Sequence, residues 1–204
     1  MQLNREHKIY AHCMASQMIS TRQFSNSLYG IWLILKFDIQ AWRYFDASLQ
    51  GFWSSFVIAF LLAPFHLVHA ITDFGPDSTG LPLIPYLMVE MLSYVVAWTL
   101  FPFAMLYISS FLDRAPRYFF HMVPYNWLRL PIEGPIYIVI LLSDFGLMSV
   151  EGAAFLNLLG LAALIIYSTF VAGVGLKITT GTAMSLVALD IVLSLITASL
   201  IDRI

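Results

Sequence analysis

The ionisable side chains inside long apolar runs are the first candidates for chemistry in this sequence. Asp190 lies in the middle of the run 181–201, and Glu90 lies within the run 83–112. A charged residue inside a membrane-spanning helix is costly, and it commonly marks an ion site, a proton relay or a pairing with another polar group. The two carboxylates therefore indicate a proton or cation site or, for Asp190, a buried polar contact that fixes helix packing.

Two histidines and further carboxylates are predicted to lie near the outer surface of the same protein. His66 and His69 fall in the outer part of the first apolar run, while Asp144 and Glu151 flank the turn between the third and fourth runs. Imidazoles and carboxylates, with Glu90 included, are suitable ligands for a divalent metal. No HExxH or similar spacing supports such a site. We therefore predict polar side chains satisfied at the interface, with no metal and no cofactor.

A polar and aromatic band precedes and enters the third run. It contains Tyr125, Asn126 and Trp127, followed by Arg129 and Glu133. Trp and Tyr prefer the membrane–water interface, and residues four apart on a helix can form an ion pair. The band is interpreted as an anchor at the cytoplasmic interface.

A stripe of small residues in the fourth run predicts close helix packing. Ala153, Asn157 and Gly160 share one helix face. Small residues let helices approach closely, and an Asn there can form a hydrogen bond across the interface. Asn157 is a candidate partner for Asp190.

Enzyme motifs are not recognisable. The segment from Gly173 to Lys177 resembles a phosphate-binding loop only superficially, because it lacks the terminal Gly-Lys-Ser/Thr. No nucleophile elbow and no catalytic pair of carboxylates can be nominated. The sequence therefore predicts a protein that is not an enzyme.

The composition of the chain indicates the kind of structure that must hold these residues in place. The 204 residues are 60% hydrophobic and 11% charged, with a formal net charge of −2, whereas soluble domains are about 45–50% apolar and about 25% charged. Lipid must solvate much of such a chain. Its Lys and Arg residues are scattered, without the basic stripe that nucleic acid requires. The predicted partners are the lipid bilayer and another membrane protein, and not nucleic acid.

A transmembrane helix needs about 20 mostly apolar residues, and the sequence offers five such runs. Pro131 and Pro135 are predicted to interrupt the entry to the third run, which carries charge at both ends. The expected fold is an all-α transmembrane bundle of five helices spanning residues 47–204, preceded by an amphipathic interfacial helix. The predicted spans are 51–72, 83–112, 130–147, 150–173 and 181–201.

The distribution of Lys and Arg predicts the orientation. The loop 73–82 has none, whereas the loop 113–129 has three and the turn after the fourth run has Lys177. Because cytoplasmic loops are enriched in these residues, we place the N-terminus in the cytoplasm and the C-terminus outside.

The N-terminal part is predicted to have two sections. Residues 1–26 are polar and are expected to be flexible. Residues 27–46 repeat apolar side chains at helical spacing, among them Leu28, Trp32 and Ile39, with Lys36 and Arg43 on another face. This pattern is typical of an amphipathic helix on the cytoplasmic membrane surface, although a helix packed under the bundle by the same face fits equally well.

Several short motifs resemble the Yip1-like family of multi-pass membrane proteins, especially its bacterial branch. The resemblance covers about residues 45–201 and includes residues 51–56 with Pro64, residues 97–102, residues 125–127, and Leu189 with Asp190. The Asp-Leu-x-Gly-Pro element that eukaryotic members carry before their first span is not found there, so binding of a small GTPase is not inferred.

The resemblance implies a membrane scaffold or interaction protein, in a bacterial inner membrane, with no catalytic residue. The alternative is a small transporter, or an ion or proton pathway, that uses Asp190 and Glu90. A third hypothesis, an intramembrane metal or haem protein, would use His66 and His69.

Overall fold

The computed structural model describes residues 21–75 and 81–201, and all of its regular elements are helical. The predicted all-α class is therefore confirmed for this part of the chain. Short 3₁₀ helices, Ile39–Tyr44 and Ala115–Arg117, separate some of the α-helices. The α-helices are α1 Thr21–Leu35, α2 Leu49–Ser55, α3 Val57–Asp73, α4 Leu83–Phe111, α5 Tyr118–Asp144, α6 Val150–Leu176 and α7 Thr180–Ile201.

Four helical stretches are long and apolar enough to cross a membrane. They are Leu49–Asp73, which combines α2 and α3, together with α4, α6 and residues Thr180–Ser199 of α7. This chain is therefore a multi-pass integral membrane protein. Four of the five predicted spans are therefore confirmed as helices that are long and apolar enough to cross a membrane. The predicted span 130–147 lies mostly within α5, which is not among the four.

Helix α5 is the central helix of the bundle. It packs against α1, α2, α3, α4 and α6. Its eight consecutive residues from His121 to Leu128 are all buried. This stretch is covered on every side and is solvated by protein and not by lipid, so its side chains need not be uniformly apolar. Arg129 and Glu133 follow it, partly buried, in the middle of α5.

The helix α5 continues through its prolines, so the predicted interruption at Pro131 and Pro135 is wrong. Proline removes the hydrogen bond to the carbonyl four residues earlier, and inside a membrane bundle neighbouring groups can satisfy the freed carbonyl. At Pro124 the freed group is the carbonyl of Phe120. The indole Nε1 of Trp42 donates to this oxygen over 2.8 Å, which ties the first 3₁₀ helix to α5.

The N-terminal part is two short helices where the sequence predicts one over 27–46. Helix α1 begins at Thr21, within the segment predicted to be flexible, and residues 1–20 of that segment lie outside the described residues. The chain turns at Phe37, whose φ is +58°. Asp38 then caps the 3₁₀ helix by accepting a hydrogen bond from the amide of Gln40 over 2.8 Å.

Helix α1 faces the bundle with a different stripe from the predicted one. Ser27, Gly30, Ile31 and Ile34 are buried, at the spacing of one helix face. Trp32, from the predicted apolar stripe, remains 53% exposed. Helix α1 is thus apolar on two sides, one packed on the protein and one left uncovered.

The two ends of the bundle separate the cationic loops from the acidic ones. At one end, Arg117 donates from Nε to the carbonyl of Gly175 over 2.6 Å, next to the N-terminal helices. At the other end, His69 and Asp144 are in contact, with Nδ1 and Oδ2 separated by 2.8 Å. The loops that the distribution of Lys and Arg assigns to the same side of the membrane therefore lie at the same end of the bundle.

Candidate functional site

A ladder of polar side chains runs along α5 at intervals of four residues. It consists of His121, Tyr125, Arg129, Glu133 and Tyr137. Sixteen residues of α-helix rise about 24 Å, which is most of the roughly 30 Å hydrocarbon thickness. Because an α-helix has about 3.6 residues per turn, each step also rotates by about 40°. The ladder therefore winds around α5, so that Tyr125 meets Asp190 of α7 and Tyr137 meets His66 of α3.

The middle of the ladder is an ion pair over an aromatic ring. Arg129 Nε lies 2.5 Å from Glu133 Oε1, and the two side chains are only 14% and 19% exposed. The guanidinium carbon of Arg129 lies 3.9 Å from the centroid of the Trp98 ring, a cation–π arrangement. The predicted pairing of Arg129 with Glu133 is confirmed, and α4 contributes the aromatic partner.

The outer end of the ladder meets His66. The Nδ1 atom of His66 lies 3.5 Å from the hydroxyl of Tyr137. On its other side, Nε2 lies 3.6 Å from a carboxylate oxygen of Glu90. The His66 ring also stacks on Tyr94, with 4.8 Å between centroids. Three helices thus place an imidazole, a carboxylate and two phenol rings together.

These groups line one cavity of about 160 Å³ between α3, α4, α5 and α7. The wall combines charged groups, aromatic rings and hydroxyl groups. Its members are His66, Glu90, Ser93, Tyr94, Ala97, Trp98, Arg129, Glu133, Tyr137, Ser194, Thr197 and Ala198. A protein interior is normally filled to crystal-like density, so a polar space between helices of this kind is a candidate binding site.

Asp190 is part of a tighter contact beside this cavity. Its Oδ2 accepts a hydrogen bond from the hydroxyl of Tyr125 over 2.5 Å, and Asp190 is buried. The proposed partner Asn157 is not the one found: the buried Oδ1 of Asn157 has no hydrogen-bond partner among the described residues. Asp190 is therefore capped by α5 and not by α6.

The small-residue stripe of α6 does pack closely on α5. Ala153 is buried, and a Cβ added to Gly160 would lie 2.7 Å from the tip of Ile136. The predicted role of this face in helix packing is confirmed for Ala153 and Gly160. The carbonyl oxygen of Asn157 has no hydrogen-bond partner within the described part of the chain.

The aromatic band is inside the bundle, so its interpretation as an interface anchor is corrected. Tyr125, Asn126 and Trp127 are 4%, 0% and 2% exposed. Asn126 donates from Nδ2 to the hydroxyl of Ser55 over 2.8 Å. Interfacial anchoring needs contact with the headgroup region, whereas these side chains contact other helices.

The predicted outer cluster divides into separate pairs. His66 is next to Glu90, as described above, while His69 contacts Asp144, which also accepts a hydrogen bond from Thr72 over 2.9 Å. Glu151 lies exposed in the first turn of α6. Among the described residues no three His, Cys, Asp or Glu side chains are arranged to hold a metal ion.

Comparison with protein-family models, curated proteins and solved structures finds no match to this chain. The cavity therefore has to be interpreted from its own chemistry. Sequence reasoning named Glu90, Arg129 and Glu133 but missed the aromatic rings of Tyr94 and Tyr137. The repeat of polar residues every four positions in α5 was a signal that could have joined them, because such a repeat forms a continuous row on a helix.

Proposed function

We propose that this membrane protein binds a small monovalent cation, the proton included, in the cavity and carries it across the bilayer. The observation that supports this most is the gathering of Glu90, Glu133, Arg129 and His66 around one space. This space lies between α5 and three helices, α3, α4 and α7, that belong to stretches able to cross a membrane. Ionisable groups are expensive in that setting and are typical of ion and proton pathways.

The acceptor groups in the cavity wall favour a cation. Two of the described lining residues, Glu90 and Glu133, carry carboxylates. Carboxylate oxygens bind cations, and in surroundings of low effective dielectric constant they interact with a bound ion far more strongly than they would in water.

The proposal assigns different roles to the two carboxylates singled out by the sequence. Glu90 lines the cavity and is the proposed cation ligand. Asp190 is buried and bonded to Tyr125, so its proposed role is to position α5 against α7. We propose transport without catalysis, in a bacterial inner membrane with the N-terminus in the cytoplasm, as the charge pattern predicts.

The test is flux into proteoliposomes that contain the purified protein. We expect the protein to increase the dissipation of an imposed pH gradient or the uptake of a monovalent cation above that of empty liposomes. Glu90→Gln removes one charge at nearly constant volume and should lower this flux at least about tenfold, which corresponds to about 1.4 kcal/mol.

The matched control is Glu151→Gln, which neutralises an exposed carboxylate at the start of α6. Its flux should equal that of the unmodified protein. Flux no higher than in empty liposomes, or equal losses in both variants, would contradict the proposal.

A second candidate function is a membrane scaffold of the Yip1-like type. The uncovered apolar side of α1, with Leu28, Tyr29 and Trp32 exposed, supports it, because such a stripe suits a lipid surface or another membrane protein. Tagged purification from gently solubilised membranes tests this role. A stable membrane-protein partner at near-equal amount that is lost in Trp32→Gln would support it, and a protein purified alone would argue against it.

A further inference from the structure

The two ends of α1 are fixed to two neighbouring helices of the bundle. Near the start of α1, the ring of Phe24 packs edge-to-face against Trp127 of α5, with 5.3 Å between the centroids. At its end, the carbonyl of Leu35 accepts a hydrogen bond from the hydroxyl of Tyr167 of α6 over 3.2 Å. Helix α1 is therefore held against α5 at one end and against α6 at the other.

The register between α5 and α6 places these two contacts at nearly the same height. A Cβ added to Gly175 would meet His121, and one added to Gly160 would meet Ile136, so α6 runs antiparallel to α5. Tyr167 is about midway between the two glycines, and the α5 contact of α1 is about midway between their partners. Helix α1 therefore crosses the bundle, roughly perpendicular to its long helices, as a helix in the plane of a membrane does.

This height agrees with one edge of the hydrocarbon layer. The end of the bundle opposite to the cationic loops is marked by Asp144, which contacts His69. A hydrocarbon core of about 30 Å corresponds to about 20 residues of α-helix. Counted back along α5 from Asp144, this depth ends near Pro124, about one turn from Trp127. Helix α1 therefore lies where hydrocarbon meets the headgroups, on the side of the cationic loops.

At this boundary the uncovered side of α1 combines apolar and cationic side chains. Leu28 and Trp32 are 40% and 53% exposed. Lys36, directly after the helix, holds its Nζ 4.5 Å from the centroid of the Trp32 ring. Exposed aromatic rings with cations beside them are typical of helices that lie in the membrane surface, with acyl chains on one side and phosphate groups on the other.

A polar groove adjoins this side of α1. It is formed by α1 and by the segment that contains the first 3₁₀ helix. The described residues that line it are Arg22, Gln23, Asn26, Arg43, Tyr44, Phe45 and Asp46. Tyr44 packs edge-to-face against the exposed Tyr29 of α1, with 4.8 Å between centroids. Asp46 accepts a hydrogen bond from Gln23 over 3.4 Å, which joins the two walls.

The chemistry of the groove suits a phosphate group. Arg22 and Arg43 bring two exposed guanidinium groups from two separate elements. Guanidinium groups form paired hydrogen bonds with phosphate oxygens. Asn26 and Tyr44 add an amide and a hydroxyl donor. Among the described lining residues the two guanidiniums outnumber the single carboxylate, that of Asp46.

We propose that this groove binds the phosphate of an anionic phospholipid, with Arg22 and Arg43 on the phosphate and the acyl chains beside Leu28 and Trp32. The charge pattern predicts that this end of the bundle is cytoplasmic, and the cytoplasmic leaflet is the one that carries anionic lipids. The inference goes beyond cation transport and does not depend on it. It names lipid as the occupant of the uncovered side of α1.

The experiment is a titration of the purified full-length chain in detergent micelles with phosphatidylglycerol, followed by native mass spectrometry. Phosphatidylcholine with the same acyl chains is titrated in parallel. We expect phosphatidylglycerol to bind at least about tenfold more tightly, because only this lipid carries a net negative charge. Equal binding of the two lipids would overturn the inference.

Variants then test the two arginines. The double variant Arg22→Gln with Arg43→Gln should weaken phosphatidylglycerol binding about tenfold or more. The matched control is Arg114→Gln with Lys177→Gln, which removes two exposed cations from loops at the same end of the bundle. It should bind as the unmodified protein does. Equal losses in the two double variants would show attraction by overall charge and overturn the inference. Helical circular dichroism and melting temperature establish that each variant is folded.

Trp32→Gln tests the apolar part of the same site. It should weaken phosphatidylglycerol binding, because the acyl chains lose an apolar contact at the membrane surface. Unchanged binding in this variant would separate the groove from the exposed side of α1 and overturn the inference.

Inorganic phosphate and co-purified proteins identify other occupants. We expect inorganic phosphate at millimolar concentration to leave bound phosphatidylglycerol in place. Displacement of the lipid by phosphate would assign the groove to a soluble phosphate compound and overturn the inference. A membrane protein that co-purifies with the chain and is lost with the two arginines, without a preference for phosphatidylglycerol, would assign this face to that protein and overturn it too.

Discussion

The two halves of α5 use polar residues in different ways. In the first half, Tyr125 and Asn126 are buried and each has a specific partner, in Asp190 and Ser55. In the second half, Arg129 and Glu133 are paired with each other and line a cavity. The same helix therefore contains polar contacts that join it to neighbouring helices and charged groups that lie beside a cavity.

This difference shows that burial of a polar residue does not by itself indicate a binding site. Asp190 and Glu90 are both acids within apolar helices. Asp190 is enclosed and bonded to Tyr125, whereas Glu90 lies next to His66 in the wall of a cavity. The surroundings of each acid, and not its residue type, are the basis for the two proposed roles.

The largest expected effect is in the second half of α5. Glu133→Leu leaves the guanidinium of Arg129 without its carboxylate inside the bundle. Removing one member of a buried ion pair costs about 3–5 kcal/mol, so we expect a loss of this size in the free energy of unfolding, measured by denaturant titration in detergent micelles.

The double variant Arg129→Met with Glu133→Leu is the control for Glu133→Leu. It removes both charges and should recover most of the lost stability. If Glu133→Leu were as stable as the unmodified protein, water would have to reach Arg129. The charged pair in the second half of α5 would then not depend on burial by the bundle.

An intermediate effect is expected where α6 approaches the first half of α5. A Cβ added to Gly175 would lie 2.9 Å from the Cα of His121 and 3.0 Å from the carbonyl oxygen of Phe120, so it meets backbone. Gly175→Ala should therefore separate the helices and cost about 1–3 kcal/mol, as overpacking does. The measurement is the melting temperature in detergent.

Gly160→Ala is the variant to compare with Gly175→Ala, because both glycines lie where α6 packs on α5. The added Cβ would lie 2.7 Å from Cδ1 and 2.8 Å from Cγ1 of Ile136, so it meets a side chain and not backbone. The melting temperature should fall by less than it does for Gly175→Ala. Equal losses at the two positions would mean that the first half of α5 is no more rigid than the second.

The smallest effect is expected from the contact between α5 and α7. Tyr125→Phe removes the donor to Asp190, and hydrogen bonds between membrane helices contribute about 0.6–1.7 kcal/mol. Asp190→Asn keeps an acceptor and should lower the stability less. Unfolding in denaturant measures both, and the cation flux proposed above should persist in Asp190→Asn. Loss of flux in a stable Asp190→Asn protein would assign Asp190 to the transport path.

The sequence was sufficient to predict the helices that lipid solvates. A run of about 20 apolar residues predicts a helix whose side chains are stable in the hydrocarbon of a membrane. The bounds of α4 and α6 agree closely with two of these runs. The same criterion misplaced the third element, because residues His121 to Leu128 of α5 are buried by other helices. Pro131 and Pro135 also predicted a boundary, although α5 continues through them. At Pro124, Trp42 donates to the carbonyl that the proline leaves free.

The site was predictable only in part. The pairing of Arg129 with Glu133 follows from spacing within one helix and is confirmed. The partner of Asp190 depends on how two helices are rotated against each other, and nothing local in the sequence encodes that rotation. The hydrogen bond therefore goes to Tyr125 and not to Asn157.

The bond from Trp42 to the carbonyl of Phe120 also has a consequence for biosynthesis. These partners are 78 residues apart, and the hydroxyl of Tyr167 reaches the carbonyl of Leu35 across 132 residues. Chains are made from the N-terminus at about 5–20 residues per second, so α1 and the 3₁₀ helix emerge many seconds before their acceptors and donors exist. The N-terminal helices therefore cannot form these two contacts until the chain has grown by a further 78 and 132 residues.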